Sequence, residues 1–346
     1  MSTVPTVSTS PEVESGALPA PPTPRATRTV SLARQLSLAG VLAAFVVVFA
    51  ITGTGFLSQE TWNSTTQYAS EFLILGVAET FVILSGGIDL SVGSVVALSG
   101  VCGAWIMSHT HSLGTGPEII VGVAGALAVG VLVGAVNGFL IAVGRITPFI
   151  ATLGTLGIAA GLANVISGGS PITDVPGQIG NIANQSFGGW LPALFVAALV
   201  VLAFGGWLLR GTRFGIHVRA VGSSLSSARE AGVAYRSVLL RNYILSGGLA
   251  AVAGVLLLGQ FVIGSPLTGA NDELNAIAAV VIGGASLAGG RGSLLGTVFG
   301  AFIISILVTG LIASHVPAFW QEVAVGVVIV VAVFIDQLKD RAGREI

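Results

Sequence analysis

The chain of 346 residues contains one lysine, Lys339, and one cysteine, Cys102, and only 8% of its residues are charged. Each shortage excludes a class of protein. A single cysteine rules out a disulfide scaffold. With its one lysine near the C-terminus, the chain has no G-x-x-x-x-G-K-[ST] phosphate loop and so no nucleotide hydrolysis of that kind. A charge content of 8%, against about 25% in soluble domains, is too little to cover a globular surface. Disorder requires high charge and low hydrophobicity, whereas 53% of this chain is hydrophobic and a further 49 residues are glycine. The four histidines, His109, His111, His217 and His315, lack metal-ligand spacing. Neither a metal centre nor a catalytic Ser-His-Asp arrangement is expected, so the chain does not read as an enzyme.

What it has in abundance is long apolar runs. A membrane-spanning helix needs about 20 such residues. Ten windows qualify, near 36–57, 71–87, 91–108, 118–142, 148–167, 189–209, 238–260, 273–289, 293–313 and 317–335. The second, third, eighth and ninth are short and end in glycine-rich strings, which suits tilted or broken helices. The expected fold is therefore all-α and polytopic, with about ten transmembrane helices.

The basic residues orient it, because Lys and Arg collect in cytoplasmic loops. Arg25, Arg28 and Arg34 precede the first window and Arg145 follows the fourth. Six arginines, from Arg210 to Arg241, lie between the sixth and seventh. Arg291 lies between the eighth and ninth, and Lys339, Arg341 and Arg344 follow the tenth. With both termini inside, all 14 fall on the cytoplasmic side. Several acids, Glu60, Glu118, Asp174 and Asp272, fall on the other. Residues 1–35, rich in Pro, Ser and Thr, read as a disordered cytoplasmic tail. Residues 36–338 form the membrane domain, with a cytoplasmic segment at about 210–237, and 339–346 form a short inner tail.

Glycine in a membrane lets helix backbones approach closely. Gly122, Gly125, Gly130 and Gly134 lie in one window and Gly154, Gly157 and Gly161 in the next, two of the intervals being small-xxx-small. Most of these glycines read as packing, and some as lining for a conduit. Two strings stand apart, Ser85–Gly93 (SGGIDLSVG) and Gly283–Gly292 (GGASLAGGRG). Each follows one apolar run and precedes another, as in a weak internal repeat, and broken helices of this kind border transport paths. Gly86, Gly87, Gly283 and Gly284 are their candidate residues. An ionisable group near a span is a functional hypothesis in itself. Glu79 reads either as facing a polar cavity or as bonding to groups between helices. Asp89 reads as a helix N-cap ahead of Leu90, Ser91 and Val92, with a pathway role as the other option. The basic inner segment, with a short helix expected at 223–230, suits either a solvated loop or a docking face.

These strings resemble the permease subunits of bacterial ribose-type ABC sugar importers. SGGIDLSVG matches that family's signature. Asn137-Gly138 with Thr147-Pro148-Phe149-Ile150-Ala151-Thr152-Leu153-Gly154 matches a second string, Thr212–Val233 a third, and Glu273–Gly292 a fourth. The resemblance covers about residues 36–338. It implies a multi-pass permease of the bacterial inner membrane, working in the lipid bilayer with no nucleic-acid partner. It further implies a second permease copy, identical or related, and a cytoplasmic ABC ATPase subunit that holds the ATP and Mg2+. An extracytoplasmic binding protein would deliver a ribose-, xylose- or galactose-like sugar. The implied ATPase-coupling residues are Gly215, Arg219, Gly222, Ser224, Arg229, Glu230 and Gly232. Ile216, Ser224 and Asn275 depart from the family pattern, which often has Arg, Asn and Asp there. The competing readings are an ion-coupled secondary sugar transporter, motivated by Glu79 and Asp89, an ABC permease for a nucleoside or autoinducer, and a membrane scaffold.

Overall fold

A computed structural model describes residues 24–342. The chain divides into two compact units, 1–37 and 38–346, and of the first only the opening of a helix is described. Thirteen helices account for most of the described residues. They are α1 (Pro24–Thr52), α2 (Gln59–Leu84), α3 (Val92–His109), α4 (Thr115–Ala142), α5 (Pro148–Ser167), α6 (Gly177–Ala183) and α7 (Ala193–Gly211). There follow α8 (Arg213–Ser223), α9 (Leu225–Glu230), α10 (Tyr235–Phe261), α11 (Asp272–Ile282), α12 (Leu294–Ala313) and α13 (Ala318–Ala342). A two-stranded hairpin, β1 (Ser186–Phe187) and β2 (Leu191–Pro192), lies between α6 and α7.

Among the described residues, eight helices are long and apolar enough to cross a membrane: α1 from Gln35, α2, α3, α4, α5, α7, α10 and α12. Helix α13 adds a shorter apolar stretch, Ala318–Val331. The eighth expected window, 273–289, is corrected: its helix stops at Ile282, where Gly283 and Gly284 follow. At 1.5 Å per residue its 11 residues reach about 16 Å, half of a hydrocarbon core of about 30 Å. The missing half is non-helical chain. Gly264 lies against Ala104 and Gly100 of α3, Gly269 against Val96 and Gly93, and Glu273 against Gly93. Residues 264–273 therefore descend along α3 before α11 continues inward. Non-helical backbone is tolerated at that depth because it is buried in protein.

The second window, 71–87, is also corrected, since α2 begins at Gln59. Ser58 caps it, accepting a hydrogen bond from the Thr61 amide at 3.2 Å. Its buried face begins at Thr65, which pairs with Thr309 at 2.9 Å. Thr80 and Thr297 pair at 2.8 Å further along. Interhelical hydroxyl pairs of this kind replace the hydrophobic force that lipid does not supply. Residues 1–23 of the expected inner tail lie outside the described residues. Residues 24–35 are helical rather than structureless, because Pro24 is compatible with a first turn and no breaker follows. At the other end α13 runs to Ala342 through the tail expected from 339, and 343–346 lie outside the described residues.

The hydrophobic core is built chiefly on α2, α3, α10, α11 and α12. Glycine sets the spacing of α4 against α10. A side chain at Gly130 would meet the Gly247 carbonyl and Ala251, and one at Gly134 the Tyr243 carbonyl. The expected small-xxx-small contact at 130 and 134 is thus a backbone-to-backbone seam. The three glycines of α5, Gly154, Gly157 and Gly161, have nothing within 4 Å.

Candidate functional site

The first glycine string is a turn that breaks the passage from α2 to α3. Gly86, at φ 84°, donates to the Ile83 carbonyl at 2.9 Å, and Gly87 donates to Val82 at 3.0 Å. The second string repeats this geometry. Gly284, at φ 86°, donates to Val281 at 2.8 Å, and Ala285 donates to Val280 at 3.0 Å. Both turns use a left-handed glycine to close a helix C-terminus, so the weak sequence repeat has a physical counterpart.

The two strings meet. The Gly290 amide donates to the Leu84 carbonyl at 3.0 Å. Gly222, at the end of α8, is pressed against Leu84, Gly289 and Gly290 so closely that a Cβ there would overlap the Leu84 carbonyl. The inner segment is therefore seated on both strings at once. Its geometry differs from the expected helix over 223–230: two helices, α8 and α9, meet at Ser224. That serine caps α9 and accepts from the Ser227 amide at 3.3 Å. Phe214 of α8 stacks on Phe81 of α2 with centroids 6.0 Å apart.

The remaining coupling candidates have separate settings. Gly215 is packed on the Leu209 main chain, and Gly232 makes a turn at φ 78°. The Arg219 Nε is buried without a hydrogen-bond partner. Arg229 and Glu230 are exposed.

Behind the first turn runs a chain of buried hydrogen bonds. Asp89 Oδ1 accepts from the Ser91 amide at 3.0 Å and from its hydroxyl at 2.6 Å, while Asp89 Oδ2 accepts from Ser246 of α10 at 2.8 Å. Asn137 of α4 donates to Ser91 Oγ at 2.9 Å and accepts from Thr155 of α5 at 2.7 Å. Asn242 donates to the Phe81 carbonyl and to Ser85 Oγ, at 2.7 and 2.8 Å. The N-cap expectation for Asp89 is corrected. Ser91 occupies the cap of α3, and Asp89 forms an Asx turn two residues ahead of that cap while its second oxygen holds α10.

Glu79 is fully buried and lines none of the four cavities described. Its carboxylate lies against the Asp89 main chain, which is the expected setting among neighbouring groups rather than in a polar cavity. Asn275 is remote from this network. Its amide contacts Asp272 at 3.4 Å and lines a separate cavity of about 400 Å³ between α11 and α13, beside Gln321 and Glu322.

A cavity of about 730 Å³ lies at the inner end, lined by Gly86, Gly87, Gly222, Ser224 and Arg229, with Arg145 from the α4–α5 turn and Tyr235 and Tyr243 from α10. It thus gathers five of the sequence-expected residues. Sequence reasoning missed Asn242, Tyr243, Ser246 and Thr155. The signal for two of them was present, since Asn242 and Ser246 are four apart in an otherwise apolar span and share a face.

At the outer end, His111 is held by Glu118 at 2.9 Å and Asp174 at 3.1 Å. Their hydrogen bonds, Asp174 first, raise its pKa above the ordinary histidine value.

Residues 61–333 match the family described as "Branched-chain amino acid transport system / permease component". The chain is 35% identical over 317 residues to the ribose import permease protein RbsC of Escherichia coli (strain K12), covering 89% of this chain and 95% of that protein. It is 36% identical over 310 residues to the autoinducer 2 import system permease protein LsrC of Klebsiella pneumoniae, covering 89% and 88% respectively. No solved structure matches it. With the apolar helices, the paired glycine turns and these relatives together, the chain belongs to the ribose-type branch of the ABC importer permeases, as a multi-pass protein of the bacterial inner membrane.

Proposed function

We propose that this permease forms the path for a monosaccharide or similar polyol and is driven through α8–α9 by a separate ATPase subunit that holds ATP and Mg2+. An extracytoplasmic binding protein delivers the solute, and a second permease copy, identical or related, completes the path. The observation that carries this reading is the seat of Gly222 on Leu84, Gly289 and Gly290. A push on α8 bears directly on both broken-helix turns, and backbone packed against backbone transmits displacement with little slack. Similarity to a ribose import permease supports a five-carbon sugar as cargo. Similarity to an autoinducer 2 permease supports a small furanose-like signal as the second reading.

The test is reconstitution of the permease with its ATPase and binding protein in liposomes. Ribose uptake is expected to require ATP and the binding protein, with unlabelled autoinducer 2 as competitor. Uptake driven by a proton gradient without the ATPase would overturn the proposal. Autoinducer uptake in preference to ribose would assign the second cargo.

A further inference from the structure

One face of α2 keeps its polar groups free. Thr65, Thr66, Ser70 and Thr80 each donate to the carbonyl four residues back, as hydroxyls in an apolar helix do. Ser64 and Gln67 stand among them. Yet the Ser64 hydroxyl and the Gln67 side-chain nitrogen have no hydrogen-bond partner among the described residues, and neither atom is sealed inside the protein. Tyr68 and Glu71 continue the same face, three to four residues apart. Glu71 Oε1 is buried and Oε2 is not. The carboxyl also meets that of Asp272 at the start of α11.

Ser64, Gln67, Tyr68 and Glu71 line a cavity of about 180 Å³ together with Gln260 and Phe261 from the end of α10. Gln260 Nε2 donates to Gln67 Oε1 at 3.2 Å, which leaves the Gln260 oxygen and the Gln67 nitrogen to meet something else. The rings of Tyr68 and Phe261 are exposed. Glu71 lies twelve residues into α2, about 18 Å from its outer end, so the cavity reaches the membrane interior. A carboxyl and free amides at that depth face water or a solute, not lipid.

We propose that this cavity is where the permease reads its solute, an uncharged polyhydroxyl ring of pentose size held by Glu71, the Gln67–Gln260 amide pair and Ser64. The proposal rests on the sugar-import reading above and names the residues that recognise the sugar within the path. Amides and a carboxyl offer donors and acceptors side by side, as neighbouring hydroxyls require. Exposed aromatic rings cover the apolar face of a sugar ring. No lysine or arginine lines the cavity, and Glu71 with Asp272 repels a carboxylate or phosphate, which selects against amino acids and sugar phosphates. The volume equals that of about six waters, room for one sugar ring and too little for a disaccharide.

The test places one thiol in the cavity. Ser64→Cys and, separately, Gln260→Cys are made in a Cys102→Ala background, and the permease with its ATPase is reconstituted in proteoliposomes. A membrane-impermeant thiol reagent is added outside, and the labelling rate is followed. Both thiols are expected to label, and ribose is expected to slow labelling saturably, whereas leucine and ribose 5-phosphate are not. Adding Glu71→Gln to the Ser64→Cys protein should raise the ribose concentration for half-protection about tenfold, the value of one hydrogen bond to a charged group. The outcomes that overturn the proposal are two unreactive thiols, protection by leucine equal to that by ribose, labelling that no neutral monosaccharide slows, or protection unchanged by Glu71→Gln. Labelling needs no transport. Uptake without the ATPase would therefore overturn the importer reading and leave this site standing, while ATP-driven ribose uptake with unprotected thiols would overturn the site alone.

Discussion

Helices α4 and α5 are neighbours with glycine at similar spacing, and they use it in opposite ways. On α4, Gly130 and Gly134 are covered by the main chain of α10, and any side chain there would displace it. On α5, Gly154, Gly157 and Gly161 face open space, flanked by exposed Leu153, Ile158 and Leu162. One stripe is consumed by this chain's own packing. The other is left for something outside it. Glycine content by itself says nothing about which. What decides is whether a second helix of the same chain lies over the stripe.

The sharpest way to break this contrast is to fill the covered stripe. Gly134→Leu should abolish folding, because the Tyr243 carbonyl and the Ile244 Cα cannot retreat without moving all of α10. The milder Gly134→Ala should cost about 1–3 kcal/mol, the usual range for overpacking. Thermal unfolding of the purified permease in detergent measures it. An unchanged midpoint for Gly134→Ala would show that the seam is looser than backbone contact.

Filling the open stripe should leave stability intact and damage transport. Gly157→Ala should unfold within about 1 kcal/mol of the parent, on the stable side if anything, since alanine is the better helix former. Gly157→Leu should also fold, because an added apolar side chain meets no protein atom. If this face meets the second copy or the solute, ATP-dependent uptake by Gly157→Leu should fall about tenfold, a barrier change near 1.4 kcal/mol. Normal uptake would assign the stripe to lipid.

Parts of this contrast were legible in the chain and parts were not. The spacing at 130 and 134 pointed to close packing, and the packing is there. The identical spacing at 157 and 161 pointed the same way, and nothing covers it, because spacing does not say which face another helix takes. The α2 start at Gln59 was hidden by polarity: Thr61, Asn63, Ser64, Thr65 and Thr66 do not read as a span. Yet Ser58 with Glu60 in the first turn is a helix-start signal. The eighth passage was read as one window because residues 276–289 are all apolar or small, although Gly283-Gly284 marked the stop. The meeting of Leu84 with Gly222 and Gly290 was out of reach, since no local pattern encodes contact across more than a hundred residues. Asp89 stood out as the one acid of the first string and Asn137 through the resemblance, whereas their partners Ser246 and Thr155 carried no such signal.

Where α4 and α5 do touch, polar groups hold them. Asn137 bridges Thr155 and Ser91, so Asn137→Ala would break two buried hydrogen bonds, leaving Ser91 on Asp89 and Thr155 on the carbonyls of its own helix, and cost about 1–3 kcal/mol, roughly 0.5–1.5 for each bond. In a double-mutant cycle, Asn137→Ala with Thr155→Val should be less than additive, because both changes remove the same interhelical hydrogen bond. Strict additivity would mean that the two helices are held together by shape alone.

The outer end of α4 sharpens the contrast further, because there charge replaces glycine. Glu118, in the first turn of α4, and Asp174, in the segment after α5, grip the same imidazole of His111. The histidine pKa is raised in the folded protein, so folding favours the protonated ring. The contribution is therefore fully present below the unfolded value of about 6.5 and is lost as pH rises through the higher folded value. His111→Gln removes the titrating group. The difference in amide-exchange protection at residues 111–118 between parent and variant should be largest near pH 5.5 and close to nothing by about pH 8.5. This is the smallest effect of the set, because the ring is half exposed and water screens the pair. A difference that grew with pH would reverse the sign and show that the neutral ring is the form the two carboxylates hold. The outer end of α4 would then be fixed by hydrogen bonding without charge, and the glycine seam would be left as the stronger of its two anchors at every pH.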